Sequence, residues 1–468
     1  MARRDRGALV TRALFGAGLL LLGVVGAVLL LRSPAPKTPP TTAAAPPPAT
    51  TTAPPATTTA PPPAPVQVTS VTPFSATISW RTDTESTDRL AVSLGSGPPT
   101  LWSAAVGPSV DHSATVRGLV FDTDYRVAVA GREVAFHTPR PSTSTVASTG
   151  GGAIVLDGSP FFPLMVWGEC PAQYGNLIAS GINLIAHNPC GGANAQVDAL
   201  AGRALSAGIA GDAEAQNPAL IGWFFPDEAD SHHLTGRTLP PVPEASIVGR
   251  ISLLTLSNHV YSRAAPLAWG RAMYPGLIAR SDVVGFDLYP LQSWCLKTEI
   301  DDVYSAQREL VGLAGGRPTF QWIESGKMDC GARGGVVTPK VIRAESWLAV
   351  AGGAHGLGFF PGEWTPANAA AVAAVTADVK AIAPALLGAS TPASANAPLR
   401  VAAHVLEDAV YVVAVNPTRR PVQARIAVGA LGDREVQMLG GGTLRAHGGV
   451  LTETIAPLGT RVYIAPPG

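Results

Sequence analysis

Charge is scarce in this chain. Only 14% of its 468 residues are charged, and 33 basic residues balance 33 acidic ones. With no basic excess and no basic stripe, the chain has no footprint for a phosphate backbone, which excludes nucleic acid as a partner. Cysteine is scarcer: there are four, all between Cys170 and Cys330. They lack the close pairwise spacing of a structural zinc site, and no paired histidines stand where ligands would be needed. The tandem His232–His233 cannot present both rings alike on a helix. Neither a metal nor another cofactor is expected.

What is present changes character along the chain. Arg3, Arg4, Arg6 and Arg12 precede an uncharged run from Ala13 to Leu31. At about 1.5 Å per residue this run nearly spans a hydrocarbon core, whereas a cleavable signal core is usually about 7–15 residues. The arginines predict a cytoplasmic tip with everything after the run outside. Residues 1–32 thus read as a tip and transmembrane signal anchor, with a long cleavable signal and secretion as the alternative. Residues 33–65, almost entirely Pro, Thr, Ala and Ser, cannot bury a core and predict an extended stalk.

Residues 66–140 turn to short alternating runs, among them Ala76–Trp80, Arg89–Leu94, Ala114–Arg117, Tyr125–Val129 and Glu133–Thr138. Alternation broken by Gly, Pro and Asp predicts a small β-sandwich. With Trp80 in the second strand and Leu119 to Tyr125 opening the sixth, the segment resembles a fibronectin type III module. That implies spacing or cell-envelope contact rather than chemistry. A Ser/Thr/Gly hinge is expected at 141–152.

From 150 to 390 apolar runs alternate with Ala-rich amphipathic stretches. The strands expected are Phe162–Trp167, Ile182–Ala186, one near Gly208–Gly211, Leu220–Phe225, Ile251–Leu256, Val283–Leu288, Thr319–Ile323 and Gly356–Phe360. Eight such βα units predict a (β/α)8 TIM barrel. Cys170 and Cys190 follow the first two strands, and Cys295 and Cys330 the sixth and seventh. Loops leaving neighbouring strands come close enough to bridge, so the expected pairs are 170 with 190 and 295 with 330. Residues 395–468 return to alternation in Ala409–Val415, Val422–Ile426 and Arg461–Ile464, predicting a second β-sandwich.

Chemistry concentrates in two acids. Glu228 closes the run Ile221-Gly-Trp-Phe-Phe-Pro-Asp-Glu228 after the fourth strand, and Glu324 follows Thr319-Phe-Gln-Trp-Ile323 of the seventh. Acids at two strand ends of one barrel open onto one cleft. Cleaving a glycosidic bond needs such a pair, one protonated for the leaving oxygen and one ionised to attack or to activate water. The stretch Asn217-Pro-Ala-Leu-Ile-Gly-Trp-Phe-Phe-Pro-Asp-Glu228 resembles the fourth-strand motif of clan A retaining glycoside hydrolases. Asp282-Val-Val-Gly-Phe-Asp-Leu-Tyr-Pro290 and the segment from Glu345 to Phe360 are similar to its sixth strand and to the approach to its eighth. The resemblance implies Glu228 as general acid/base and Glu324 as nucleophile. The chain departs from it at Asp227, where the clan commonly carries an Asn that contacts the sugar; a carboxylate there only accepts hydrogen bonds while ionised.

Seven of the nine tryptophans lie in the barrel segment, and indole faces stack on the C–H faces of sugars. Core packing is the competing use. Trp167, Trp294 and Trp364, together with His187, Asn188, Asn258 and Tyr289, stand at or beyond expected strand ends and are the candidate substrate contacts, along with Asp227. Glu169 and Glu363 follow the first and eighth strands. The sequence therefore points to an extracellular, membrane-anchored glycoside hydrolase with a carbohydrate substrate. The alternative is a catalytically inactive carbohydrate-binding or envelope-scaffolding protein that kept the barrel.

Overall fold

The computed structural model describes residues 66–141, 145–200, 202–209, 219–242 and 249–468. The expected anchor and stalk lie outside the described residues. Eight parallel strands close into a barrel in chain order: β1 (Leu164–Trp167), β2 (Leu184–Ala186), β3 (Leu205–Ile209), β4 (Leu220–Phe224), β5 (Ile251–Leu256), β6 (Val283–Asp287), β7 (Thr319–Glu324) and β8 (Leu357–Phe360). The expected strands match, apart from the third. It begins at Leu205 rather than near Gly208, because Leu205 and Ala207 supply the inward-facing apolar positions and Gly208 merely continues the ladder.

The strands are apolar on both faces, as a sheet covered on both sides requires. Met165, Leu184, Leu205, Leu253, Val283, Phe320 and Trp322 fill the interior, while Leu164, Val166, Ile185, Ile323 and Phe359 pack outward. The helices around the strands are α1 (Tyr174–Ala179), α2 (Gly192–Leu200), α3 (Tyr274–Ile278), α4 (Asp302–Ala314), α5 (Pro339–Ala351) and α6 (Pro366–Leu386). α5 and α6 each start at Pro behind a threonine cap, whose hydroxyl accepts from Val341 N and Asn368 N; both features are strong start signals. α6 is long and apolar enough to cross a membrane, but its hydropathic window is 56% buried within the protein, as expected of a core helix.

The expected hinge is partly structured. Ala147–Gly150, Ala153–Leu156 and Ser159–Phe161 form a three-stranded antiparallel sheet, and Ala147, Ile154, Leu156 and Phe161 join the apolar cluster of the barrel interior. The composition of 141–152 suggests a loop, but Ala153-Ile-Val-Leu156 gives Ala147–Gly150 a pairing partner.

Before it, a three-stranded sheet (Gln67–Val71, Ser75–Asp88, Val106–Arg117) and a four-stranded one (Pro99–Trp102, Ala91–Leu94, Thr123–Val129, Arg132–Thr138) enclose Ile78, Trp80, Leu90, Leu119, Tyr125 and Val127. The Tyr125 hydroxyl accepts from Val120 N at 2.9 Å. At the C-terminal end a six-stranded sheet faces a three-stranded one around Val410, Val412, Ile426, Leu451 and Tyr463. The inner strand Ala409–Val415 also packs on α5 through Tyr411 and Val413. Thr100 ties the three parts together, donating to Ala381 O of α6 at 2.7 Å while its own carbonyl accepts from the Tyr411 hydroxyl at 2.8 Å.

Candidate active site

Beyond β4 the chain enters a turn, not a helix, so Asp227 and Glu228 cap nothing. Glu228 sits at φ +44°, a left-handed conformation that side chains other than glycine adopt at a cost of about 1–3 kcal/mol and that clusters at working sites. The turn is held by Ser231, whose hydroxyl donates to Glu228 O at 2.9 Å and to Glu228 Oε2 at 3.2 Å. Buried Asp230 anchors it by accepting from Ser257 N and Oγ, both at 2.8 Å, and from the Tyr274 hydroxyl at 3.1 Å. Asp227 is exposed. Its surface is open, but protein atoms crowd around the carboxyl group itself, and that local desolvation, followed by the charge of Glu228, pushes it up to about 6.

The sixth strand brings Asp287 to the same place. Its carboxyl lies near that of Glu228, and burial followed by the Glu228 charge raises it well above the usual carboxylate range. Among the described residues no donor reaches its sealed Oδ1. Two carboxyls side by side cannot both be ionised cheaply, which keeps the Asp287 carboxyl protonated. Tyr289, two residues on, feels Asp287, Asp227, Glu228 and Glu324, and burial first and these charges next hold its phenol protonated. The acids at the ends of β4, β6 and β7 are therefore all near enough for one phenol to feel their charge.

Glu324 ends β7 with no exposed surface. Its Oε1 accepts from Leu291 N at 2.9 Å and its Oε2 from Gln292 N at 2.8 Å, both in the loop after β6. That loop is stapled to the one after β7. Cys295 pairs with Cys330, Cys330 N donates to Gln292 O at 3.0 Å, and the Gln292 side chain bridges Met328 N and Gly335 O. Burial raises the Glu324 carboxyl above its ordinary value, against the pull of Glu345 and the two amides. A cavity of about 620 Å³ adjoins the cradle, lined in part by Gln292, Lys327, Val336 and Glu363.

The remaining candidates divide. Trp167 packs edge-on to Phe224 at 5.1 Å and to Trp322 at 5.8 Å, with His187 beside it at 5.5 Å, and Tyr289 stacks on Phe360 at 6.0 Å. Together they form an aromatic floor at the strand ends, and His187, like Glu228, has a positive φ, +59°. Trp294 and Asn258 are brought together, the indole N–H donating to Asn258 Oδ1 at 3.2 Å. Asn188 is instead buried, accepting from Cys190 N at 2.9 Å and donating to Gly192 O at 3.1 Å, so it shapes the loop closed by the Cys170–Cys190 disulfide. Trp364 spends its N–H on Ser325 Oγ and Pro361 O. Glu169 accepts from Gly362 N at 3.1 Å. Glu363 is exposed on the loop after β8. Sequence reasoning missed Asp287 and Glu345. Asp287 lies in the quoted sixth-strand motif at an inward-alternating position, a signal that could have found it. Glu345 looks like any acid on a helix.

No family model and no curated sequence matches this chain. Among solved structures, it is similar to a beta-glucuronidase from Faecalibacterium prausnitzii (12% identity, TM-score 0.31, 64% of this chain and 59% of that one). It is similar too to a GH30 endoxylanase from Clostridium papyrosolvens (10%, 0.38, 69% and 98%) and to an alpha-amylase from Anoxybacillus (10%, 0.36, 64% and 90%). The chain thus spans 59% of the first of these proteins. Likeness at this level concerns the path of the chain, and the chemistry has to be argued from the side chains.

Proposed function

We propose that this protein is a glycoside hydrolase working by a retaining two-carboxylate mechanism at the C-terminal mouth of the barrel. Glu228 would give its proton to the glycosidic oxygen as that bond breaks. Glu324 would attack the anomeric carbon, and Glu228 would then take a proton from the water that displaces the covalent sugar. The observation that carries the proposal is the placing of Glu228, Asp287 and Glu324 at or just beyond the C-terminal ends of β4, β6 and β7 of one closed barrel. Acids from three strands meet where their environments can push their titrations apart. Trp167 and His187 would form a face for the sugar ring, and Asp227 would accept from a sugar hydroxyl.

The residues before 66 would tether the enzyme outside the membrane, and the fibronectin-like module at 66–140 and the sandwich at 395–468 would space it from the envelope and brace the 150–390 barrel. Glu324 is covered in this state, so the proposal requires the loop that carries Leu291 and Gln292 to yield when substrate binds. The test is incubation of the full chain with a panel of 2-fluoro glycosides, followed by peptide mass mapping. A covalent sugar on Glu324, with turnover lowered about 10²–10⁴-fold by E228Q, is expected. Turnover that survives both E228Q and E324Q would remove these residues from the mechanism.

The complete burial of Glu324 favours a second reading, in which this acid only holds the β6 loop and the barrel binds a glycan without cleaving it. Glycan binding that gives no product and is unchanged by E228Q or E324Q would decide for it.

A further inference from the structure

Behind Glu324 stands a second buried acid. Glu345, on α5, has no exposed surface, and among the described residues no donor reaches either of its carboxyl oxygens. What its carboxyl meets is the carboxyl of Glu324. On the packed strand Arg400–Leu406, Arg400 pairs with Asp301 and burial keeps His404 uncharged, and the other charges on the packed elements are engaged elsewhere. Arg343 of the same helix pairs with Asp378 of α6 at 2.6 Å and donates to Thr460 at 2.8 Å; Glu309 of α4 pairs with Arg271 at 2.6 Å; Arg461 pairs with Glu453 at 3.1 Å. Tyr411, on the strand packed against α5, gives its hydroxyl to Thr100 O.

Two ionised carboxylates cannot stay in contact in such a setting, so one proton belongs between them. Its owner follows from the donors. Glu324 already accepts two backbone N–H groups, which favour its charged form, whereas Glu345 accepts none. We infer that Glu345 is a neutral carboxylic acid whose O–H donates to an ionised Glu324, completing a cradle of three donors around that carboxylate. Glu345 is thus a positioning residue: it touches no substrate and acts by holding the charge and orientation of Glu324. The protonation stands on the burial of both acids, the packing of α5 on β7 and the unequal count of donors, and only its catalytic consequence rests on the role proposed above for Glu324.

Two measurements on the full chain separate these. The first is infrared difference spectroscopy with ¹³C-labelled glutamate at neutral pH, wild type against E345Q. The expected result is a protonated-carboxyl band present in wild type and absent from E345Q. A difference made only of carboxylate bands would show Glu345 ionised and overturn the inference, whether or not the protein cleaves sugars.

The second is the acid limb of kcat/KM on a glycoside that is turned over. E345Q still donates to Glu324 and should leave the limb in place, whereas E345L should move it up by about one to two pH units, the worth of one hydrogen bond to a charge. An equal shift in both variants, or none in E345L, overturns the donor role. Should E345L fail to fold, the infrared comparison with E345Q still decides.

Discussion

At the scale of single residues, the mouth of the barrel is a problem in placing negative charge. Asp227 and Glu228 are adjacent on one turn, and the carboxyls of Asp287 and Asp230 lie nearby; of the groups that perturb Asp227, only the Glu228 backbone N–H and His232 favour its ionised form. Local desolvation first and Glu228 second keep the Asp227 carboxyl up at about 6. Neutralising the neighbour while keeping its shape isolates the second cause. In E228Q the Asp227 carboxyl is expected to titrate lower than in wild type, toward the ordinary value near 3.9, read by ¹³C NMR of labelled aspartate. An unchanged titration would mean that the two side chains do not share a field. The same crowding sets what Asp227 can offer a ligand: near neutral pH the position titrates, so it can donate as well as accept.

At the scale of elements, the barrel interior is built by pairing glycine with aromatic residues. A Cβ on Gly285 of β6 would lie 2.2 Å from the ring of Phe320, and one on Gly358 of β8 would lie 2.0 Å from Trp322. Trp322 in turn donates to Thr255 Oγ1 of β5 at 3.1 Å and packs under Trp167. The indole cannot give way without losing both contacts, so G358A is expected to cost about 1–3 kcal/mol by overpacking. Urea unfolding would read that cost, and tryptophan fluorescence would shift with the displaced ring; wild-type stability would show that the barrel breathes enough to absorb a methyl.

The same pairing explains what was legible in the sequence. Runs such as Ile251-Ser-Leu-Leu-Thr-Leu256 announce buried strands by composition, and the strand order follows from their alternation with helices. The cysteine pairs follow from loop adjacency. Glu345 is not legible, since nothing in Arg343-Ala-Glu345-Ser says that this turn of α5 faces β7. The uses of Asn188 and Trp364 depend on loop backbone that periodicity does not encode. The third strand starts early because pairing with its neighbours from Leu205 onward turns Leu205 and Ala207 into the barrel interior.

At the scale of the whole molecule, the barrel and the C-terminal sandwich meet through groups that are buried uncharged. His355 precedes β8, His404 lies on the strand Arg400–Leu406 beside α5, and each has an Nδ1 sealed from solvent with no partner among the described residues. Burial lowers both; for His355 the charge of His404 adds to it, bringing it down to about 4, whereas for His404 a backbone hydrogen bond with Gly388 opposes it. The unfolded chain titrates its histidines near 6.5. Above that value neither state binds the proton and the junction is unaffected. Between roughly 6.5 and 4 the unfolded chain takes up a proton that folded His355 refuses, so stability falls as pH falls, by at most about 3 kcal/mol for this one group. Chemical denaturation at pH 7 and at pH 4.5 should therefore differ, and H355Q, which cannot titrate, should narrow the difference. Because α5 carries Glu345 on one face and packs the C-terminal strands on another, loosening this junction should also reach the cradle of Glu324. Acid that stops short of unfolding is then expected to shift the frequency of the Glu345 carboxyl band in wild type, as its surroundings loosen, but less so in H355Q. An identical acid response in the two proteins would confine the histidines to a local packing role.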